Sequence, residues 1–540
     1  MQLKRSISLA SVILLTATLV ACSSGGTSAP PPTPPASGAF DLTVSTDKLP
    51  VITGTSATVT VNVARQGSFN GPVSLSLAGL PSGASSAPVT IAEGQSSATL
   101  TVSALGTASH SQPTTVALTG ASNSGTVTKN VTVTVRGPAG SLDTTFGANG
   151  IAVTPIGIGE DVPYAMAVQD DGKLVVVGST MNSTTSSDFA VVRYTRDGAL
   201  DSTFGQGGKV VVDFAGKSDI ARAVAIDAQG RVVVAGGVTS AADKERFGVV
   251  RLTATGARDG SFGQNGLATL DFGGESRAQA VLVTPSAIVV GGQATVDTTT
   301  GVDFAVARLT QTGALDASFG TGGKVTTAVA SGNGGDAVRA LALQGTRIVA
   351  AGGDGDFKAV RYTTAGVLDA SFAAGGKLGT VFGGDIATVN AVTVDAQGRL
   401  VLAGQRQNDT AIVRLNENGA FDASFGSGGK QVVPISAANW DAATGVAVQS
   451  DGKLVLGGWA YEGGSSAGNF AVTRLTASGQ LDASFGQGGT TVTSVAPGSK
   501  ADEVRAVVLQ PDERIPATRV VAVGVRNDSN QDFALTRYWP

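Results

Sequence analysis

Leu315-Asp316-Ala317-Ser318-Phe319-Gly320-Thr321-Gly322-Gly323-Lys324 is a segment that recurs, with small changes, through most of the chain. Its phenylalanine returns every 53 to 60 residues, at Phe146, Phe204, Phe262, Phe319, Phe372, Phe425 and Phe485. A fixed period of this length is typical of a propeller, a solenoid or another array of like units. The repeats extend from about Gly140 to Pro540, so they decide the fold of most of the 540 residues.

Each repeat contains four short segments rich in Val, Ala and Ile, which we call a, b, c and d. In the second repeat they are Lys209–Phe214, Arg222–Ile226, Arg231–Ala235 and Phe247–Leu252, with a hairpin turn predicted at Asp227-Ala228-Gln229-Gly230. Four antiparallel strands recurring seven times predict an all-β, seven-bladed β-propeller over residues 140–540, because a propeller blade is a four-stranded sheet. A solenoid is the weaker alternative, since its units are usually shorter.

Charged residues at a fixed spacing predict how the array closes. Every d segment has an arginine at or next to its end, and in six repeats an aspartate follows eight residues after that arginine, in the connector to the next a segment. These pairs are Arg193–Asp201, Arg251–Asp259, Arg308–Asp316, Arg361–Asp369, Arg414–Asp422 and Arg474–Asp482. Asp143 is left over at the start of the array and Arg537 at its end. We therefore expect these two residues to pair and to close the ring, since a guanidinium suits a carboxylate well.

The repeated residues resemble a known family. The pattern Gly-x-Leu-Asp-x-Ser-Phe-Gly-x-Gly-Gly, followed by Asp-Gly-Lys turns and by Asp-Phe-Ala-Val-x-Arg, resembles the delta-60 repeats of bacterial secreted and surface proteins. Two copies depart from it, at Arg258-Asp259-Gly260 and at Phe372-Ala373-Ala374. The resemblance implies a propeller fold and no particular activity.

Residues 40–136 are predicted to form a separate β-sandwich. Six segments with strand-like composition follow one another: Phe40–Ser45, Ala57–Ala64, Val73–Leu77, Ala98–Ser103, Thr115–Thr119 and Asn130–Val135. The stretch from Gly71 to Gly83 resembles bacterial immunoglobulin-like surface domains that lack the disulfide. His110 is the single histidine of the chain. It is interpreted as an ordinary surface residue, because a metal or catalytic role needs partner residues.

The N-terminal residues predict export and a lipid anchor. Lys4 and Arg5 precede an apolar run from Ile7 to Val20 that is short for a membrane span, as in a signal peptide. Leu19-Val20-Ala21-Cys22 resembles the lipobox of bacterial lipoproteins, which implies a signal peptide over residues 1–21 and lipidation of Cys22. A plain signal peptide is the alternative. Residues 22–39 are predicted to be an extended linker rich in Pro, Ser and Gly, and Ser23 implies the outer membrane in a two-membrane bacterium.

Strand direction divides the array into two faces. The a–b links and c–d loops lie on one face, the loop face, and the b–c turns and d–a connectors lie on the other, the connector face. The connectors are nearly uniform, whereas several c–d loops are long: Thr180–Ser187, Thr239–Arg246, Ala294–Val302 and Tyr461–Gly468. Variable loops on a rigid scaffold commonly carry recognition, so we assign any binding to the loop face.

Two groups of side chains on the loop face are candidate sites. Trp440, Trp459 and Tyr461 could stack on a sugar ring or on a partner side chain, although packing of Trp459 in the core is the simpler interpretation. Aspartates that precede b segments could bind a cation such as Ca²⁺: Asp161, Asp219, Asp336, Asp441 and Asp502. Capping of backbone N–H groups is the favoured interpretation of these aspartates, because no Asp-x-Asp-x-Asp-Gly spacing occurs.

The residue types of the array restrict its chemistry. It contains neither histidine nor cysteine, which excludes Ser-His-Asp or Cys-His hydrolysis and a His/Cys zinc site. The net charge of −4 argues against a nucleic-acid partner. The favoured hypothesis is a non-enzymatic surface lipoprotein without a cofactor, anchored to the membrane at Cys22, whose propeller binds a protein or polysaccharide. The alternative is a carbohydrate-active enzyme that uses carboxylates of the loop face.

Overall fold

The computed structural model describes residues 40–181, 186–214, 217–240, 242–297, 301–329, 336–353, 355–383, 385–435, 440–461, 468–496, 501–515, 518–528 and 530–540. The predicted signal peptide, Cys22 and the predicted linker lie outside these residues. The described part of the chain is built from strands and turns, so the all-β prediction is confirmed. It includes no apolar helix of the length needed to cross a membrane.

Residues 40–136 form two sheets around one core. Their strands are β1 (Phe40–Val44), β2 (Lys48–Ile52), β3 (Ser56–Arg65), β4 (Val73–Ala78), β5 (Ala84–Ser85), β6 (Val89–Ile91), β7 (Ser97–Ala104), β8 (Thr114–Ser122) and β9 (Gly125–Arg136). The sheet orders are β1-β3-β7-β5 and β2-β9-β8-β4-β6. Valines and leucines that alternate with polar residues along the strands are buried between the two sheets. The alternation in the sequence therefore marks the inner face of each sheet.

Three strands of this unit were absent from the sequence prediction. They are β2, β5 and β6. Strand β2 contains Pro50 and pairs in parallel with β9 at the edge of its sheet. A proline has no N–H for a ladder and is tolerated at an edge, which makes such a strand difficult to recognise from its residues. Strands β5 and β6 are only two and three residues long.

Every repeat of the array contains a b, a c and a d strand. Among the described residues, an a strand is present in six of the seven repeats. The b strands are β11 (Asp161–Val168), β15 (Asp219–Ile226), β19 (Ser276–Val283), β23 (Val338–Gln344), β26 (Ala387–Val394), β30 (Ala442–Val448) and β34 (Glu503–Gln510). The c strands are β12 (Leu174–Met181), β16 (Val232–Thr239), β20 (Ala287–Asp297), β24 (Arg347–Gly352), β27 (Leu400–Arg406), β31 (Leu454–Tyr461) and β35 (Arg519–Asn527). The d strands are β13 (Ser187–Tyr194), β17 (Glu245–Leu252), β21 (Gly301–Thr310), β25 (Lys358–Tyr362), β28 (Asp409–Leu415), β32 (Gly468–Leu475) and β36 (Gln531–Tyr538). The a strands are β10 (Ile151–Thr154), β14 (Lys209–Val212), β18 (Leu267–Leu270), β22 (Lys324–Thr327), β29 (Lys430–Val433) and β33 (Thr490–Thr493).

These strands form seven sheets in the described part of the array, which we number in the chain order of their b strands. Each sheet has the order b-c-d followed by the a strand of the next repeat, as in β11-β12-β13-β14. The sheet thus differs from the predicted sequence unit, which began with a, because the connector folds the next a strand back onto d. In the fourth sheet the outer strand is reduced to a bridge between Val360 and Lys377.

The seventh sheet joins the two ends of the array. Its strands β34, β35 and β36 are completed by β10, whose Ile151 pairs with Thr536. Adjacent b strands contact one another along the whole series, and β34 also contacts β11. Backbone N–H groups after each connector phenylalanine donate to a carbonyl of the following connector: Gly147 to Asp197, Gly205 to Thr255, Gly263 to Thr312, Gly320 to Ala365, Ala373 to Asn418, Gly426 to Ser478 and Gly486 to Ala139. The last of these bonds returns from the final connector to the first.

The core of the array lies between consecutive sheets. Valines of the first sheet pack on valines of the second around Phe204, and the first sheet also packs on the seventh around Phe146. The seven connector phenylalanines are fully buried. They therefore act as apolar wedges between sheets, as the sequence predicted.

A β-bulge interrupts every b strand at the same place. In β15, for example, Arg222 is the extra residue between Ala221 and Ala223. The bulge turns the carbonyl of Ile220 towards Gly236 of the c strand, where a Cβ atom would lie 1.9 Å from that oxygen. A glycine is therefore required at this position, and it recurs as Gly178, Gly236, Gly292, Gly352, Gly404, Gly458 and Gly524. The predicted c segment ended too early, at Ala235, because glycine usually weakens a strand.

Candidate functional site

The connector face carries a repeated arginine-centred contact. Arg537 Nε donates to Asp143 Oδ2 at 2.8 Å, and the Arg537 guanidinium lies 4.8 Å from the centre of the Phe146 ring. Its Nη1 donates at 2.6 Å to the carbonyl of Arg196, in the following connector. One guanidinium therefore holds its own connector aspartate, covers the phenylalanine wedge and reaches the next sheet. The stacking on phenylalanine was not anticipated from the sequence.

The other six arginines repeat the contact with their own connectors. Nε donates to the aspartate at 2.7–2.9 Å in the pairs Arg193–Asp201, Arg251–Asp259, Arg308–Asp316, Arg361–Asp369, Arg414–Asp422 and Arg474–Asp482. Each guanidinium also lies 4.5–4.9 Å from the centre of a connector phenylalanine ring. Because the arginines are engaged in this way, they are structural groups and offer little to an anionic ligand.

The loop-face aspartates bind backbone N–H groups. Asp161 accepts from Ile156 and Gly157, and Asp219 accepts from Phe214 at 2.9 Å and from Thr239 at 3.1 Å. Their counterparts do the same, with donors Val329 for Asp336, Thr410 and Ile435 for Asp441, and Val495, Ala496 and Asn527 for Asp502. All five carboxylates are buried. They hold the a–b link against the start of the b strand, which is the capping role favoured from the sequence.

One acidic group in the described part of the chain could hold a metal ion. Oxygens of Asp188, Asp213 and Asp219 lie within 4.8 Å of one another between the first and second sheets. Burial, with repulsion from Asp213 and Asp188, raises the pKa of Asp219 to about 6, despite its two backbone hydrogen bonds. Of the five predicted cation ligands, this arrangement includes Asp219 alone. Asp161, Asp336, Asp441 and Asp502 do not take part in such a group among the described residues.

The predicted aromatic residues lie around the start of β30 and the end of β31. Trp440 directly precedes Asp441 and has 60% of its surface exposed. Trp459 pairs with Ala442, and Tyr461 is the last residue of β31; both are half-buried. Trp459 and Tyr461 are two residues apart on one strand, so their side chains leave the same face of the sheet. Trp459 is thus only partly a core residue.

Bulge residues of several b strands contact a neighbouring b strand, a feature that was not predicted from the sequence. The Arg222 guanidinium lies 4.6 Å from the centre of the Tyr164 ring, and that of Arg505 lies 6.0 Å from it. Asn390 Nδ2 donates to the carbonyl of Ala443 in the next b strand at 2.9 Å. The recurring c-strand glycine was the available signal, since a glycine inside a strand often faces a bulge.

His110 lies at a contact between the first unit and the array, and its interpretation as an ordinary surface residue was wrong. The indole Nε1 of Trp539 donates to His110 Nδ1 at 3.2 Å, with the two rings nearly perpendicular. Gln112 Nε2 donates to the carbonyl of Thr145 at 3.3 Å nearby. Burial lowers the pKa of His110. A neutral imidazole with its proton on Nε2 fits this contact, because Nδ1 must accept.

Comparison with known families supports a β-propeller repeat family. Five segments match a model described as a domain of unknown function (DUF5122) beta-propeller: residues 169–204, 229–262, 288–319, 397–425 and 449–485. Each matched segment ends at one of the connector phenylalanines described above. The narrower relation to delta-60 repeats stays a prediction. No curated protein matches the chain.

Solved structures give distant similarities. A structure described as a polysaccharide lyase of a new family, PL25 ulvan lyase, is 12% identical, covers 70% of this chain and 78% of its own, and has a TM-score of 0.30. A second ulvan lyase structure, bound to -[GlcA(1-4)Rha3S]-, is 10% identical over 78% of this chain and 86% of its own, again with a TM-score of 0.30. A DUF4784 family protein from Bacteroides caccae is 8% identical over 81% of this chain and 93% of its own, with a TM-score of 0.25. These TM-scores are too low to carry a function over to this chain.

Proposed function

We propose that the protein is an exported lipoprotein, anchored at the cell surface through Cys22, that acts as a non-enzymatic binding scaffold for a polysaccharide. Residues 140–540 form a seven-bladed β-propeller, and residues 40–136 form an immunoglobulin-like β-sandwich that carries it. The seven sheets and the pairing of β10 with β36 support the number of blades. The two sheets around one core support the sandwich. In a two-membrane bacterium the anchor lies in the outer membrane.

The exposed indole of Trp440 is the observation that carries this proposal. Its neighbour Asp441 accepts backbone hydrogen bonds from Thr410 at 2.7 Å and from Ile435 at 3.0 Å, which fixes the chain at this point. An aromatic ring on a fixed backbone is pre-organised to stack on a flat apolar partner such as the face of a sugar ring. Trp459 and Tyr461, on the adjoining strand, extend the aromatic surface.

A glycan array probed with the full chain tests the proposal. We expect binding to a subset of bacterial polysaccharides, and we expect Trp440→Ala to weaken it by about tenfold, the equivalent of about 1.4 kcal/mol. The matched control is Val367→Ala, because Val367 is 63% exposed and lies in a connector on the opposite face. Equal binding by both variants would contradict a loop-face site, and binding to proteins alone would contradict a polysaccharide partner.

The anchor and the cell address have a separate test. We expect Cys22→Ser to move the protein from the membrane fraction to the soluble fraction and to abolish incorporation of labelled fatty acid. Protease treatment of intact cells should degrade the unaltered protein if it faces outwards. Protection from the protease would contradict surface exposure without affecting the glycan-binding proposal.

A carbohydrate-active enzyme is the second candidate, and the raised pKa of Asp219 favours it. A carboxyl group with a pKa of about 6 is suited to general acid catalysis near neutral pH. Against this, Asp219 is fully buried and both its oxygens accept backbone N–H groups, so the carboxyl group offers no face to a sugar. Release of new saccharide ends from a polysaccharide by the unaltered chain, and its loss in Asp219→Asn, would favour the enzyme over the scaffold.

A further inference from the structure

Six of the seven sheets place a second cation on the connector aspartate. In each of these sheets one c-strand valine pairs with the d-strand arginine. The second cation is the side chain of the residue two positions before that valine in the chain. The cation lies 2.9–3.4 Å from the aspartate Oδ2 in the pairs Lys173–Asp201, Arg231–Asp259, Arg347–Asp369, Arg399–Asp422, Lys453–Asp482 and Arg519–Asp143. The Oδ2 atom of these aspartates therefore receives two cations, one from the d-strand arginine and one from the b–c turn.

The third sheet departs from this rule. Its valine is Val289, which pairs with Arg308, and the residue two positions earlier is Ala287. Arg308 Nε lies 2.9 Å from Asp316 Oδ2, and it is the single cation recorded within ion-pair distance of Asp316 in the described part of the chain. The Asp316 side chain is 26% exposed, whereas that of the equivalent aspartates is at most 12% exposed.

A cavity lies where the second cation would be. Its volume is about 370 Å³, within the range of small-molecule sites. Val289, Leu343 and Ile348 contribute apolar surface, and Asp316 and Arg308 contribute the charged groups. The cavity opens between the third and fourth sheets on the connector face, away from the polysaccharide site proposed above.

The remaining hydrogen-bonding capacity of Asp316 faces this cavity. Ser318 donates to Oδ1 from its backbone N at 3.1 Å and from its hydroxyl at 2.7 Å, while Arg308 donates to Oδ2. A carboxylate oxygen can accept two hydrogen bonds, and the second bond of Oδ2 is the one that the turn cation supplies in the other sheets. The Ser318 hydrogen bonds, followed by the hydrogen bond and the positive charge of Arg308, hold the pKa of Asp316 below its ordinary value, so the group is ionised at neutral pH.

We propose that this cavity binds a small organic cation, an alkylguanidinium or alkylammonium, whose charged group takes the place of the missing turn cation on Asp316. The apolar walls fit the alkyl stem, as the stems of lysine and arginine fit apolar surfaces elsewhere. The guanidinium group of the ligand can donate to Asp316 Oδ2 beside Arg308. Arg347 and Arg361 bind Asp369 in this way, because the Nε atom of each lies 2.9 Å from the same carboxylate oxygen. The fourth sheet thus provides an internal example of the predicted complex.

Calorimetric titration of the full chain with n-propylguanidine, the analogue of an arginine side chain, tests the proposal. We expect one site with a Kd on the order of 1 mM, because a ligand of this size makes few contacts. The neutral isostere n-propylurea should bind at least tenfold more weakly. No heat of binding up to tenfold above the expected Kd, or equal binding of the urea, would overturn the proposal.

Variants assign the binding to this cavity. Ala287→Arg supplies the cation found in the other sheets, so it should abolish binding of n-propylguanidine and raise the melting temperature. Asp316→Asn should also abolish binding, with its folding checked by the melting curve. Val367→Arg adds the same charge to an exposed position on the same face and should leave the Kd unchanged. Undiminished binding by folded Ala287→Arg would overturn the proposal, and it would leave the glycan-binding proposal intact.

Discussion

Arg537 and Asp143, which are 394 residues apart in the chain, form an ion pair of 2.8 Å in which both side chains are completely buried. Arg519 lies 3.1 Å from the same carboxylate oxygen and is also fully buried. This carboxylate pairs with two guanidinium groups at the point where the last d strand meets the first connector, and Asp512 and Asp197 supply further negative charge to Arg519 and Arg537. It is the most buried of the seven connector aspartates, and it lies at the junction between the ends of the array.

We expect Asp143→Ala to destabilise the protein strongly. The substitution leaves Arg537 and Arg519 buried with less negative charge, and removal of one partner from a buried ion pair costs about 3–5 kcal/mol. Urea denaturation, followed by far-ultraviolet circular dichroism, measures the change. Asp316→Ala is the matched control, because Asp316 is partly exposed and pairs with one arginine. A loss for Asp143→Ala no greater than that of the control would contradict a special role in closure.

We expect Gly236→Ala to destabilise the second sheet. A Cβ atom at Gly236 would lie 1.9 Å from the carbonyl oxygen of Ile220, so either the bulge or the c strand must move. Overpacking of this kind costs about 1–3 kcal/mol. Gly260→Ala is the control, because a Cβ atom there meets no atom within 4 Å. Thermal melting of both variants checks the prediction, which fails if the two melting temperatures agree.

We expect His110 to make the protein less stable as the pH falls. Burial lowers its pKa in the folded protein below the unfolded value of about 6.5. The unfolded chain therefore binds the proton more readily, and the stabilisation present above about pH 6.5 is lost as the pH falls towards the folded pKa. Urea midpoints at pH 7.5, 6 and 5 should fall less for His110→Gln than for the unaltered protein. Parallel pH profiles of the two proteins would contradict the prediction.

Asp219 should have the opposite effect. Its pKa is raised to about 6, so the folded protein holds a proton there that the unfolded chain releases near pH 4. The contribution of this group to stability therefore declines as the pH rises from about 4 through 6. Asp213→Asn removes one repulsive carboxylate and should lower the pKa of Asp219 and raise the melting temperature at pH 7. An NMR titration of the Asp219 carboxyl carbon measures the shift, with Asp170→Asn as a distant control. An unchanged pKa in Asp213→Asn would refute the contribution assigned to repulsion from Asp213.

The array could be predicted because the same residues recur in every copy of the repeat, and each copy makes the same contacts. Comparison of seven copies shows that Phe319 and its counterparts are wedges and that Arg308 belongs with Asp316, which one copy alone would not reveal. The bulge at Arg222 was missed because its mark lies in another strand, at Gly236. Strand β2 was missed because Pro50 conceals it. The contact of His110 with Trp539 joins residues 429 positions apart, and neither residue belongs to a repeated pattern.

The candidate sites were less predictable than the scaffold. The order of the strands in the sequence predicts that Trp440 lies in an a–b link, on the loop face. The exposure of its side chain depends on the path of the link before β30. The grouping of Asp188, Asp213 and Asp219 depends on how two adjacent sheets meet, for which the residue spacing offers no measure. Position 287, where Ala287 stands in place of the Lys or Arg of the other six repeats, was not among the residues considered from the sequence. Its meaning required the distances from the turn cations to the aspartates.

The pairing of β10 with β36 also sets an order for folding. A chain that emerges from its N terminus presents Ile151–Thr154 long before Gln531–Tyr538 is available to pair with it. Until then one early strand has an unsatisfied edge, which is a template for pairing with the wrong neighbour. The array can therefore become fully cooperative only after its last strand has been synthesised, and any chaperone that assists it should be needed most at that last step.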